Sequence, residues 1–200
     1  MGGRGRMNER AIRARLARLP NFRRLTDAEA DLLLDDKSLV VNEPVRWGVS
    51  RWADVNPTEL RMSVRVFNAF GENLSMRGRI SIAIPERSHW ALGWGDKRAG
   101  EFPVDLRRLD LRDDHQNPDG ARWRGTTHKH RWSSQDGNRW AYTPTDIPHE
   151  SIGEGSVCDD DYRAIFESFA AECHVELGPE FRWHDPELLR PTQTDLWEVP

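Results

Sequence analysis

The sequence lacks several features that mark common classes of protein. It has two cysteines in 200 residues, Cys158 and Cys173, and the helix expected between them holds their Cα atoms beyond disulfide reach. No apolar run approaches the roughly 20 residues of a membrane span, and none follows the basic N terminus as in a signal peptide. We therefore expect a cytoplasmic protein with free thiols and no membrane association.

Phosphate-binding glycine motifs are also missing. Neither G-x-G-x-x-G nor G-x-x-x-x-G-K-[ST] occurs, which argues against the common nucleotide-binding folds. The apolar share is 37%, the charged share is 31% and the mean hydropathy is −0.77, so the core must be compact and the surface heavily charged. A chain of this length can bury a core that is stable without disulfides or metals.

Charge is distributed unevenly along the chain, although the net charge is only −4. Residues 1–24 carry eight arginines and one glutamate, whereas residues 146–200 carry fourteen acidic side chains and three arginines. We interpret residues 1–37 as a basic helical arm and residues 38–200 as a single domain with an acidic C-terminal tail. Arg10 and Arg13 of the arm are candidate contacts to nucleic acid or to an acidic partner, unless arm and tail contact each other.

Hydrophobic periodicity predicts an α+β fold. Thr26 and Glu29 form a capping-box pattern at the start of a short helix. From residue 38 to 143 the apolar period is two, as in half-buried antiparallel strands, with a polar loop expected over residues 112–120. One late helix is predicted from Asp159, with Ile165, Phe166 and Phe169 packing on the core. The fold class is therefore an antiparallel meander with an N-terminal helical arm and one late packing helix.

The strongest chemical signal is a group of histidines between His115 and His130. If residues 126–132 form a strand, His128 and His130 lie on one face of it because side chains repeat every two residues. Two imidazoles on one face can act as a general acid and base, can chelate a metal with His115 or an acidic residue as a third ligand, or can be ordinary sheet residues. We take His128, His130 and His115 as candidate catalytic residues, with no metal and no cofactor assigned.

The histidines lie in a basic and tryptophan-rich part of the sequence. Arginines interleaved with aromatic residues are typical of proteins that hold single-stranded nucleic acid, because the cations bind phosphate and the rings stack on bases. The candidate nucleic-acid contacts here are Arg108, Lys129, Arg131, Arg139 and Trp132. On a strand, Lys129 would point away from the histidine face.

The same segment resembles a family of small bacterial domains of uncharacterised function. The resemblance rests on His115-x-Asn117-Pro118-Asp119-Gly120, on His128-x-His130 followed by Trp132, and on the Trp140-Ala141 pair. It covers about residues 100–175, and it implies that these positions form one structural unit without attaching an activity to them.

Three functions remain open at this point. The first is a nucleic-acid-acting enzyme, a metal-independent endoribonuclease of a bacterial toxin or phage-defence system, acting on RNA rather than DNA. The second is a non-catalytic partner protein, such as an antitoxin or a small subunit, which binds another protein through the basic arm and acidic tail. The third is a small metal-dependent hydrolase.

Overall fold

The computed structural model describes residues 25–35, 38–50, 59–95, 104–143 and 159–187. These residues form two helices and nine strands. In chain order they are α1 (Asp27–Leu34), β1 (Val40–Val41), β2 (Gly48–Ser50), β3 (Glu59–Val66), β4 (Leu74–Ser81), β5 (Ser88–Trp94), β6 (Val104–Gln116), β7 (Arg122–Arg131), β8 (Ala141–Tyr142), α2 (Asp159–Glu172) and β9 (Glu176–Leu177).

Seven of these strands form one antiparallel sheet in the order β2-β3-β4-β5-β6-β7-β8. Each strand pairs with its neighbour in sequence, so the sheet is a meander, and the predicted α+β fold class is confirmed. The remaining two strands, β1 and β9, pair in parallel as a separate small sheet. The sequence analysis did not predict this parallel pair, because each strand has only two residues.

Helix α1 begins at the predicted capping box. The Thr26 hydroxyl accepts from the backbone N–H of Glu29 at 3.3 Å, and the Glu29 carboxylate accepts from the backbone N–H of Thr26 at 2.8 Å. These two bonds satisfy donors that the first turn of a helix leaves without intrahelical partners. Leu33 and Leu34 then bury the other side of the helix in the core.

Alternation along β3 gives the sheet two different faces. Leu60, Met62 and Val64 are buried in the core, while Arg61 and the residues at alternate positions point the other way. Trp90 of β5 lies on the core face, with a ring centroid 6.2 Å from that of Phe166 in α2. We call this side the core face and the opposite side, which carries Arg61, the polar face.

Helix α2 packs on the core face as predicted. Ile165, Phe166 and Phe169 are all buried in the main hydrophobic cluster, together with Tyr162 and Cys173. Neither of the described helices is long and apolar enough to cross a membrane.

Candidate metal centre

Two histidines of β7 face an aspartate and an arginine of β6. In the strand register Asp110 lies opposite His128, and Arg108 lies opposite His130. The two histidine rings have centroids 5.0 Å apart, and both side chains are fully buried. The prediction that His128 and His130 share one face of a strand is thus confirmed by the geometry of β7.

His115 reaches the same face because β6 contains an irregularity. The segment predicted as a polar loop over 112–120 is strand as far as Gln116, so that prediction was wrong for its first half. Between Asp110 and Asp113 the pairing register shifts, and Arg112 adopts a left-handed φ of 47°. In a regular strand, residues 110 and 115 would lie on opposite faces, because side chains alternate. The bulge inserts one extra residue between them, and His115 therefore lies on the same side as Asp110.

A second irregularity in β7 compensates for the first. The register shifts again between Asp113 and His115, where Gly125 has a φ of 57°. As a result the ring of His115 lies 4.6 Å from that of His130 and 5.5 Å from that of His128, measured between centroids. Gly125 inside a strand pattern was the one sequence signal for this arrangement, since glycine there often marks a bulge.

Each of the three histidines donates one ring N–H to a backbone carbonyl. Nε2 of His115 lies 2.8 Å from the carbonyl oxygen of Arg139, Nδ1 of His128 lies 2.9 Å from that of Thr126, and Nδ1 of His130 lies 2.8 Å from that of Asn138. A carbonyl can only accept, so each of these nitrogens carries a proton. This leaves a lone pair on Nδ1 of His115, Nε2 of His128 and Nε2 of His130 when the rings are neutral.

This pattern is the one that metal-binding histidines show. Such histidines bind the ion through one nitrogen and donate the other N–H to a carbonyl or carboxylate, which fixes the tautomer. One ring nitrogen from each of the three histidines lies within 4.8 Å of the others. The three histidines therefore bring ring nitrogens to one small region, as the ligands of a common ion would.

The carboxylate of Asp110 lies beside two of these ligands. Its Oδ2 is 3.4 Å from Nε2 of His128 and 3.2 Å from Nε2 of His130. Ligands bound to a tetrahedral ion at about 2.0–2.1 Å lie about 3.3 Å apart, so the spacing suits a shared cation. Among the described residues Nε2 of His128 has no hydrogen-bond partner, although it is buried.

Asp110 is held as an anion by its neighbours. Burial alone raises the pKa of this carboxyl, but the contacts with His128, His130 and His89 and the charge of Arg108 more than offset that effect. The net result holds the pKa of Asp110 well below its usual range. Burial also lowers the pKa of His130, so this ring is a neutral imidazole, the form that binds metals.

A guanidinium completes the group. Nη2 of Arg108 lies 2.7 Å from Oδ2 of Asp110 and 2.7 Å from Nε2 of His130. It therefore donates to the two groups that would otherwise present lone pairs to each other. On the other side of Asp110, Nδ1 of His89 contacts Oδ1 at 2.8 Å, and Nε2 of His89 contacts Asp113 at 3.3 Å.

A cleft of about 610 Å³ lies on the polar face next to this group. Arg108 and Asp110 form one wall of it. The cleft is lined by Arg61, Met62, Ser63, Arg77, Gly78, Arg79, His89, Ala91, Asp105, Arg108, Asp110 and Asp113. The sequence analysis did not select Asp110, His89 or Arg77, because they come from three different strands whose pairing it did not assign.

The side chains of the other predicted binding residues do not join the histidine group, although the backbone carbonyl of Arg139 contacts His115. Lys129 is buried on the core face and pairs with Glu172 of α2, and Trp132 is part of the hydrophobic core. Arg131 is exposed and pairs with Asp31 at 2.8 Å, while Arg139 is exposed and pairs with Asp136 at 3.3 Å.

Two predicted contacts cannot be placed. Arg10 and Arg13 of the basic arm fall outside the residues that the structure describes.

Comparison with known proteins adds one finding about this part of the chain. Residues 96–175 match the model of a family of unknown function (DUF6978). The match confirms that the segment from β6 to α2 resembles an uncharacterised family, while the particular motif and a bacterial origin stay predictions. No curated protein and no solved structure matches the chain. The matched segment contains the three histidines together with Arg108 and Asp110.

Proposed function

We propose that this protein is a metal-dependent hydrolase whose divalent transition-metal ion is bound by His115, His128 and His130. The observation that carries the proposal is Nε2 of His128, which is buried, faces the Asp110 carboxylate at 3.4 Å and has no hydrogen-bond partner among the described residues. A lone pair buried against an anion is costly unless a cation lies between them. Three ring nitrogens whose tautomers are fixed by backbone carbonyls favour a metal ion in that position.

Asp110 gives the proposed site its negative charge. Three neutral imidazoles contribute no charge, so the carboxylate is needed to balance a divalent ion in a buried position. Its depressed pKa keeps it ionised throughout the physiological range. Because Asp110 also lines the cleft, an ion at this site would lie next to bound substrate, where it could polarise the substrate and activate a water molecule.

The cleft favours a substrate that carries phosphate. Arg61, Arg77, Arg79 and Arg108 line it, and guanidinium groups bind phosphate oxygens in a bidentate manner. Acidic residues in the same cleft offset part of this positive charge. The cleft is therefore suited to one or a few phosphate groups and is not a broad basic surface. A phosphodiester, including the RNA that the sequence analysis favoured, is therefore the first substrate class to test.

The metal-independent acid–base mechanism has less support. In that mechanism His128 and His130 must reach the substrate, whereas both side chains are 0% exposed and are bonded to backbone carbonyls. A ring that cannot approach the substrate cannot exchange a proton with it. A buried metal ligand has no such requirement, because the ion carries its effect to the substrate.

The proposal is tested by metal titration. Protein stripped with a chelator should bind Zn²⁺ or Mn²⁺ with one equivalent per chain in calorimetry, and the ion should raise the melting temperature. His128→Ala and His115→Ala should each weaken binding by at least about tenfold. His184→Ala is a matched control because His184 is exposed and, within the described ranges, its hydrogen bond is one that its backbone carbonyl accepts from Trp47.

Activity supplies the second readout. The metal-loaded protein should hydrolyse bis(p-nitrophenyl) phosphate or a short RNA, and the chelated protein and His128→Ala should not. Cleavage of RNA that continues in chelator and depends on His130 would instead support the metal-independent endoribonuclease. Absence of metal binding in calorimetry would overturn the proposal directly.

A further inference from the structure

Arg108 contacts two of the groups that would surround the proposed metal ion. Its Nη2 lies 2.7 Å from both Oδ2 of Asp110 and Nε2 of His130, and these are two of the groups proposed to surround the ion. The guanidinium and a divalent ion would each neutralise the same carboxylate and would each be within bonding distance of the same nitrogen. We therefore expect the two cations to compete, so that binding of the ion releases Arg108.

A released Arg108 side chain would remain in the cleft, because Arg108 lines it. In the strand register Ala91 lies opposite Arg108 on one side and opposite Arg77 on the other. Ala91 thus separates two arginines on the polar face and, like them, lines the cleft. Nε of Arg77 and Nε of Arg108 are both buried and, within the described part of the chain, have no hydrogen-bond partner.

Arg77 is held in place, in contrast to Arg108. Its Nη2 contacts Oδ1 of Asp105 at 2.5 Å, and its guanidinium lies directly on the backbone of Gly93. A Cβ atom at position 93 would come within 1.7 Å of Nη2 of Arg77, so only glycine admits the guanidinium there. Arg77 is therefore the fixed member of the pair. Arg108 is the member that a metal ion could replace beside Asp110 and His130.

We infer that Arg77 and Arg108 form a phosphate-binding subsite in the cleft beside Ala91, and that this subsite is completed when a metal ion displaces Arg108 from Asp110 and His130. The inference rests on the proposed metal centre and names the group of the substrate that the cleft holds. Before the ion binds, Arg108 is engaged with the two site residues, and only Arg77 of this pair is available to the ligand. After it binds, two guanidinium groups can take one phosphate together.

The consequence is a coupling between metal and phosphate. By thermodynamic linkage, if the ion raises the affinity for phosphate by some factor, phosphate raises the affinity for the ion by the same factor. Couplings of this kind are typically about 5- to 150-fold. We expect a value in this range in the wild-type protein.

The coupling is measured with phenyl phosphate as the probe. Calorimetric titrations of phenyl phosphate into chelator-stripped and into Zn²⁺-loaded protein give its affinity in both states, and titrations of Zn²⁺ with and without the probe close the cycle. Phenyl phosphate should bind at least about fivefold more tightly to the loaded protein. Equal affinities in the two states would overturn the inference.

Arg108→Gln separates this coupling from direct binding of phosphate to the metal. Without the competing guanidinium, Zn²⁺ should bind the variant more tightly than it binds the wild type in the absence of the probe. The coupling should fall to near onefold, because no arginine is released. If the coupling in Arg108→Gln equals that of the wild type, the phosphate is held by the ion alone and the inference is wrong.

Two further variants locate the subsite. Ala91→Leu fills the space between the arginines without altering a metal ligand, so Zn²⁺ should bind as in the wild type while the probe binds at least about tenfold more weakly. Arg131→Gln is a matched control, since it removes an exposed guanidinium that pairs with Asp31 elsewhere. Unchanged binding of the probe to folded Ala91→Leu would place the phosphate at another position and overturn the inference.

Failure of the inference and failure of the proposed function give different results. If no variant and no wild-type protein binds Zn²⁺, the metal centre itself is wrong. If the wild-type protein binds Zn²⁺ and phenyl phosphate independently of each other, the metal centre stands and the Arg108 exchange is wrong.

Discussion

The two faces of the sheet are built from the same strands, yet they satisfy polar groups in different ways. On the core face, Lys129 is buried among apolar side chains and its ammonium pairs with Glu172 of α2. On the polar face, His128 and His130 immediately flank Lys129 in sequence and are equally buried, but Nε2 of His128 has no partner among the described residues. Lys129 and His128 are therefore buried to a similar extent. They differ in whether their polar atoms have hydrogen-bond or ion-pair partners.

This difference distinguishes a structural residue from a candidate ligand. A buried polar group with all of its bonds made contributes to stability, while one with an unused lone pair costs free energy in the absence of a ligand. The polar face accepts that cost at His128 next to a carboxylate and an arginine. Variants on the two faces should therefore affect different properties, with the core face controlling stability and the polar face controlling binding.

The largest expected effect is on the core face. Trp90→Ala removes a fully buried ring that packs on Phe166 and Gly78, and it should lower the free energy of unfolding by about 3–5 kcal/mol. Chemical denaturation measures the change, with Trp140→Ala as a control because Trp140 is 38% exposed. A loss below about 1 kcal/mol at Trp90 would mean that this face is not the main core.

A smaller loss is expected from the buried ion pair. Lys129→Ala leaves Glu172 without its ammonium partner, and since the Glu172 side chain is 24% exposed, water compensates in part. We expect a loss of about 1–3 kcal/mol, below the range for a fully buried pair. Arg131→Ala is the matched control on the same strand, because its pair with Asp31 is exposed and should contribute less than about 1 kcal/mol.

Zn²⁺ affinity provides the contrast for the Lys129 variant. It should be unchanged in folded Lys129→Ala, because the side chain lies on the opposite face from the three histidines. A folded Lys129→Ala protein that bound Zn²⁺ more weakly than the wild type would show that the two faces are not independent.

Sequence alternation was sufficient to predict the sheet and part of the site. The period of two from residue 60 to 66 predicted β3 and its buried face, and the spacing of His128 and His130 predicted that they share a side. These features are local, since each depends on the pleat of one strand.

The remainder of the site depends on pairing between strands. Asp110 and His89 come from neighbouring strands, and the register that joins them is set by the packing of the whole sheet. His115 required a bulge at Arg112 that reverses the alternation, and the polar composition of residues 112–116 indicated a loop instead. A single sequence offers little information on where a bulge falls, so the third histidine could be proposed as a ligand but not placed.

The smallest expected effect concerns the thiol on the core face. Cys173 is buried, and burial raises the pKa of its thiol. The folded protein therefore keeps the thiol protonated at a pH where the unfolded chain, with a pKa near about 8.5, releases the proton. A group whose folded pKa is raised contributes its full stability below the unfolded pKa and loses it as the pH rises above that value.

Stability should consequently fall by about 1 kcal/mol between pH 7 and pH 9 through this one group. The measurement uses Cys158→Ser, which leaves Cys173 as the single thiol of the chain, and compares its unfolding free energy at the two pH values with that of Cys158→Ser/Cys173→Ala. The difference between the two proteins in how the unfolding free energy changes with pH gives the contribution of the thiol, because every other titrating group is common to both.

Iodoacetamide should label Cys173 slowly in the folded protein at pH 9 and rapidly in denaturant, since the thiolate is the reactive form. Equal slopes together with rapid labelling of the folded protein would show that Cys173 titrates as an exposed thiol, and the core face would then be more open at the end of α2 than its packing indicates.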